Sequence, residues 1–146
     1  MSGSPIRKPI VVTHEHGMRF AAQVRQHRVI TDQSERAGGT DAAPSPTELI
    51  AAALGSCIAL YVFQFCTSRG LRHEGLRVEV LAVNATSPNR IAELQVTVRI
   101  GETLSPHVRE MLERVVRNCP VHNTLAHGAA VSVAIAERTR LEAAAS

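Results

Sequence analysis

Three cysteines offer the sharpest chemistry in this chain, and two of them have distinctive surroundings. Cys57 closes the run Gly39-Thr-Asp-Ala-Ala-Pro-Ser-Pro-Thr-Glu48-Leu-Ile-Ala-Ala-Ala-Leu-Gly-Ser-Cys57, and Cys119 lies in Arg117-Asn-Cys119-Pro-Val-His122-Asn-Thr-Leu125. Two thiols this far apart in sequence can form a redox couple if the fold joins them. Cys66 follows Cys57 by nine residues, about 180° around an α-helix, so the two cannot bridge within one helix. Cys66 therefore reads as a small buried hydrophobe. The same plain reading competes for Cys57, whose neighbours are apolar. Burial alone makes a thiol inert, and reactivity needs a nearby cation, so a functional Cys57 requires an arginine close to it. Ala53, Gly55 and Ser56 leave room beside the thiol for another element or a substrate.

Other chemistries are open to the same residues. Cys119-Pro-Val-His122 has a Cys-x-x-His spacing, to which Cys57 could add a third ligand, but the paired spacing of structural zinc sites is absent. A Cys–His nucleophile for acyl transfer would use His122. The plain reading of His122 is a solvent-facing or capping residue near a helix end.

The elements that must place these residues can be read from periodicity. Ile10–Thr13, Arg19–Val24 and Val29–Thr31 are short strand candidates. Residues 34–45 form a loop, with Gly38-Gly39, Pro44 and the adjoining Pro46 as breakers. Ser45, Pro46 and Glu48 then spell a capping box with proline at the first helical position. That helix should run to about Arg69, with Gly70 as a left-handed terminator. Leu76–Val83 and Ile91–Ile100 alternate apolar and polar residues around a Ser87-Pro88-Asn89-Arg90 turn, an antiparallel pair with one face covered. A second helix opens at Ser105-Pro106. Val108, Met111, Leu112, Val115, Val116 and Cys119 share one face of it. Pro120 ends it or starts a shorter helix reaching about Gly128, and Ala130–Ala136 reads as a final strand. The expected order is β-β-α-β-β-α-β, an α+β fold with a sheet packed on two main helices.

Composition bounds the rest. A chain of 146 residues with 45% hydrophobic residues is an ordinary single domain, 1–146, able to fold without a staple. With 3% aromatics and no Trp, its core must come from Ala, Val, Leu and Ile. The net charge is +3, and fifteen of the sixteen basic residues are scattered arginines. A nucleic-acid binder would show a basic stripe, often with stacking aromatics, so no nucleic-acid partner is expected. The run Leu49–Phe63 carries no charge, but it is short of the roughly 20 apolar residues that a spanning helix needs. A helix apolar on all sides is expected to be buried, and no membrane partner is expected. Pro9–Val12 is too short for a secretory apolar core. With an odd cysteine count, this points to a reducing cytoplasm, where paired cysteines tend to be catalytic or metal-binding.

Pro-Ser-Pro-Thr-Glu48-Leu…Ala-Ala-Leu-Gly-Ser-Cys57, followed by Asn-Cys119-Pro-Val-His-Asn-Thr-Leu, closely resembles the OsmC-like proteins. These comprise the osmotically inducible protein C and organic hydroperoxide resistance proteins, and the likeness covers about Gly38 to Leu125. It implies an intertwined homodimer with active sites at the subunit interface, and a cysteine peroxidase acting on hydroperoxides. It makes Cys57 the peroxidatic and Cys119 the resolving cysteine. Glu48 becomes the helix-start glutamate that holds an arginine near the thiol. Arg36, twelve residues before Glu48, stands close to the spacing of the osmotically inducible branch, whereas Arg19 is the nearest candidate for the hydroperoxide resistance branch; Arg36 is favoured. Glu48 thus has two competing tasks, folding back on Ser45 as a cap or pairing with Arg36, and a lone Arg36 would read as a solvated loop charge. Ser-Pro-Thr-Glu replaces the family's usual Asn-Pro-Glu, and the scarcity of aromatics weakens the expectation of large aromatic or fatty hydroperoxides as substrates. The implied cycle needs no metal, flavin or haem. It ends with an external dithiol, of lipoyl type by the resemblance, reopening the disulfide. A non-catalytic dimer of the same fold, binding a small ligand, is the alternative.

Overall fold

The computed structural model describes residues 9–137. The chain opens as a three-stranded antiparallel meander of β1 (Val11–His16), β2 (Arg19–Val24) and β3 (His27–Thr31), with β2 in the middle. Glu35–Ala37 form a single 3₁₀ turn. The long helix α1 (Pro46–Ser68) follows, then the hairpin β4 (Arg77–Thr86) and β5 (Asn89–Arg99). Two helices close the described chain: α2 (Pro106–Arg117) and α3 (Pro120–His127).

Local chemistry accounts for the helix boundaries. Ser45 Oγ accepts the Glu48 N–H while the Glu48 carboxylate accepts the Ser45 N–H at 2.7 Å, with Pro46 in the first turn. Gly70 at φ +64° lets Leu71 N–H reach the Cys66 carbonyl at 2.9 Å, a Schellman closure. Ser105 caps α2 through the Val108 N–H. Proline cannot donate to a continuing ladder, so Pro120 ends the α2 path and starts α3.

The β4–β5 register puts Val78 opposite Val98, Val80 opposite Val96 and Ala82 opposite Leu94, which gathers the alternating apolar residues on one face. α1 packs on that face, chiefly against β4, and α2 and α3 pack against α1. The long helix is thus the middle layer. Gly55 permits its close approach to β4, since a Cβ there would lie 3.1 Å from Val80 Cγ2. The buried core runs through Leu54, Ile58, Val62, Phe65 and Cys66 of α1 to Leu112 and Cys119.

The α+β class is as read from the sequence, with four corrections. The described residues form two sheets rather than one, and β1–β3 make no substantial contact with the helices or with β4–β5. The strand candidate Val29–Thr31, left out of the expected order, pairs with β2 as part of β3, so the order through the described residues is β-β-β-α-β-β-α-α. The segment expected to form a final strand, Ala130–Ala136, has no strand pairing. A strand exists only beside a neighbour that takes its hydrogen bonds. Here Val131, Val133 and Ile135 stand 84%, 83% and 90% exposed on alternate positions. Finally, α1 is not buried on all sides. It is long and apolar enough to cross a bilayer by length and composition, yet it packs one face into the core and exposes Ile50, Leu60 and Phe63 on another side.

Candidate active site

Cys57 lies midway along α1, between buried Leu54 and Ile58 on one side and exposed Ser56 and Leu60 on the other. Its thiol is half-buried. Cys119 occupies the joint between α2 and α3 and is fully buried. As the N-cap residue of α3, its sulfur accepts the His122 N–H at 3.3 Å. The fold draws the two cysteine regions together by helix-on-helix packing, where α3 abuts α1.

Burial pushes the Cys119 thiol up from the ordinary thiol range. The His122 N–H on its sulfur works in the opposite direction, and the Cys57 thiol adds to the rise. Cys57 packs against the core cluster that holds Cys119. Cys66 points into the core on the opposite side of α1, as the helical spacing requires. Burial, followed by the negative charge of Glu102, raises its thiol as well.

The charged candidates are disposed differently. Glu48 adopts the capping-box geometry, and both its Ser45 contacts, the N–H first and the hydroxyl second, hold its carboxyl below the usual carboxylate range. Among the described residues no arginine bonds to it. Arg36 sits exposed in the 3₁₀ turn and makes no hydrogen bond or ion pair with another described residue. Arg19, on β2, donates to Glu15 at 2.7 Å, and Arg28 pairs with the same carboxylate. Among the described residues, no guanidinium is tied to either sulfur.

Asp32 is a residue that reading for chemistry overlooked. It is buried at the end of the first sheet, and its carboxylate accepts from Gln33 N–H at 2.8 Å, Thr40 Oγ1 at 2.6 Å, Thr40 N–H at 3.1 Å and Ala42 N–H at 3.2 Å. The Thr40 hydroxyl is the largest cause of a carboxyl lowered to about 2. This knot folds the loop carrying Arg36 back on itself. Gly39 completes it, because a Cβ there would overlap the Gln33 carbonyl and come within 2.8 Å of Asp32 Oδ1. The available signal was a lone acid followed, eight residues on, by a hydroxyl in a glycine-rich loop.

Two open grooves flank α1. One, of about 660 Å³, runs from Glu48 past Gly55 and Ser56 along β4. The other, of about 760 Å³, is walled by Ile50, Leu54 and Ile58 of α1 with residues of β5 and α3, and His122 borders it. The His122 Nδ1 atom is buried without a hydrogen-bond partner. Among the described residues, no three His, Cys, Asp or Glu side chains gather as a metal site.

A long central helix between a β-hairpin and two shorter helices, with two distant cysteines in one apolar cluster, sits on an α+β scaffold. The family model described as OsmC-like protein matches residues 39–134, and the chain belongs to that family. Solved structures agree on the fold. A protein from Psychrobacter arcticus 273-4 described as an osmotic stress induced and detoxification response protein superposes with a TM-score of 0.72 at 25% identity, over 85% of this chain and 90% of its own. An organic hydroperoxide resistance protein OsmC from Legionella pneumophila gives 0.60 at 14% identity, over 83% and 91%. An organic hydroperoxide resistance protein from Vibrio cholerae, with captopril bound in one of its active sites, gives 0.56 at 15% identity, over 85% and 88%. No curated protein sequence matches the chain.

Proposed function

We propose that this protein is a thiol peroxidase that reduces organic hydroperoxides, and hydrogen peroxide as a smaller substrate, using Cys57 and Cys119 as a redox couple. The observation that carries the reading is the packing of a half-exposed Cys57 against the core cluster in which Cys119 is sealed. Family membership and the names of the hydroperoxide resistance neighbours support it. The Cys57 thiolate attacks the O–O bond, the alcohol leaves, and Cys57 becomes a sulfenic acid. Cys119 then attacks that sulfur, water leaves, and a disulfide closes before further oxidation. An external dithiol of lipoyl type reduces the disulfide by exchange and is itself oxidised. The compartment this cycle suits is the reducing cytoplasm.

A guanidinium must stand near Cys57 for a half-buried thiolate to persist. Arg36 is the better candidate, because Arg19 is already engaged by Glu15. A homodimer supplies it: a second copy brings its own Arg36 loop to the α1 face and covers Leu60 and Phe63, while the outer side of Cys57 stays open to small reactants. The exposed row of Val131, Val133 and Ile135 and the open first sheet fit such an intertwined arrangement.

Thiol titration before and after one equivalent of an organic hydroperoxide tests the enzyme reading. Loss of two thiols supports it, and loss of none favours a non-catalytic ligand-binding dimer. Sedimentation tests the assembly: the expected species is a dimer, which Val133→Asp should weaken, and a monomer at micromolar concentration would contradict it.

A further inference from the structure

The Cys57–Cys119 couple is asymmetric in a way that the peroxide half of the cycle does not use. Cys57 lies on the border of the exposed side of α1, whereas Cys119 has no accessible surface and lies beneath it. Thiol–disulfide exchange passes through a mixed disulfide, and its rate depends on which sulfur can be reached and how well the other leaves. The attacking, central and leaving sulfurs must lie nearly in line. If Cys119 is the leaving sulfur, the line runs inward, and the attacking thiol arrives at the outer side of Cys57. If Cys57 were to leave, the attack would have to reach Cys119 from within the core, between α1, α2 and α3.

Resting on the peroxidase reading, we propose that the reducing dithiol attacks Cys57 and never Cys119, and that the start of α3 acts as the holder of the departing Cys119 sulfur. In the first step the reductant thiolate forms a bond to Cys57 Sγ, the Cys57–Cys119 bond breaks, and its electron pair leaves on Cys119. The His122 N–H, 3.3 Å from that sulfur in the reduced protein, is positioned to donate to the new thiolate. Being in the first turn of α3, this N–H has no intrahelical acceptor of its own. Cys119 then takes up a proton. In the second step the other thiol of the reductant attacks the reductant sulfur in the mixed disulfide and releases Cys57. The reductant is oxidised to its disulfide, and the protein regains two thiols. His122 is thus a positioning residue acting through its backbone.

The test starts from the full-length Cys66→Ser protein, oxidised with diamide, which makes the disulfide without peroxide chemistry. N-acetylcysteine amide is added as a monothiol probe, exchange is quenched with acid at short times, and the adduct is located by peptide mapping. The expected adduct is on Cys57, with Cys119 free. Adduct on Cys119, on both sulfurs equally, or on neither while the disulfide persists would overturn the assignment, as would failure of diamide to join the two cysteines. A parallel sample oxidised with cumene hydroperoxide separates the two layers of the argument. A disulfide from diamide but not from hydroperoxide removes the peroxidase reading and leaves the site of attack readable. The holder role is read by comparing His122→Pro, which lacks the N–H at a first-turn position that tolerates proline, with His122→Ala, which keeps it. Opening of the disulfide should be roughly tenfold slower in the proline variant, as for loss of one hydrogen bond. The reduction potential should shift between the two variants as well. Equal rates and equal potentials would overturn that role.

Discussion

Cys57 and Cys119 share one apolar cluster where α3 abuts α1, whereas Arg36 and Arg19 ride on the first sheet and the loop after it, which pack little against either helix. Both cysteines belong to a contiguous apolar core built from α1, α2 and the β4–β5 hairpin. The charged region has the opposite character. It holds itself together locally, through the Asp32 knot and the Glu15 ion pairs, and presents its arginines outward. The contrast separates two requirements of thiol catalysis: bringing sulfurs together is a matter of packing, while stabilising a thiolate depends on a nearby charge, which the proposed dimer would deliver.

The variants that would break this contrast differ in size. Cys57→Ser should abolish hydroperoxide turnover, and Cys119→Ser should consume about one equivalent and then stall as sulfenic or sulfinic acid, both seen by peroxide assay and intact mass. If Cys119→Ser turned over normally, the packed pair would not be the working unit. Arg36→Ala should slow the peroxide step by about a hundredfold, the scale seen when one preorganised charge-stabilising group is lost, and leave the fold intact by circular dichroism. A normal rate would move the assignment to Arg19.

Smaller effects sharpen the comparison. Gly39→Ala must displace the Gln33 carbonyl or Asp32, so it should lower the rate of the peroxide step while sparing disulfide formation by diamide. The Asp32 carboxyl, held at about 2 against 3.8, binds its proton more weakly folded than unfolded. Its contribution to stability is therefore complete above about pH 4 and is lost as pH falls through about 2. An acid titration of Asp32→Asn followed by fluorescence or circular dichroism should lack that part of the slope. Cys66→Ser should change turnover least, because its thiol is sealed in the core on the far side of α1. Inactivity as complete as that of Cys57→Ser would contradict the pairing.

Where a feature is written in adjacent residues, the chain could be read directly. Ser45, Pro46, Glu48 and Gly70 mark the two ends of α1, and the alternation around Ser87-Pro88 yields the β4–β5 hairpin in register. The placement of the cysteines on opposite sides of α1 followed from helical geometry. Harder to see was what depends on a partner that periodicity does not name. The row Val131, Val133 and Ile135 has strand character but no pairing neighbour among the described residues, and the uncharged run Leu49–Phe63 of α1 gives no hint that only one side of the helix is covered. The Asp32 knot escaped because its donors are mostly backbone N–H groups, which leave no trace in residue types.

The central claim is that Cys57 and Cys119 exchange electrons with a hydroperoxide as a pair. Adding one equivalent of cumene hydroperoxide to the reduced wild-type protein and mapping its peptides tests this most directly. The account predicts a single cross-linked peptide joining Cys57 to Cys119, with Cys66 still free. A cross-link through Cys66, or three unmodified thiols after the hydroperoxide has been offered, would contradict it.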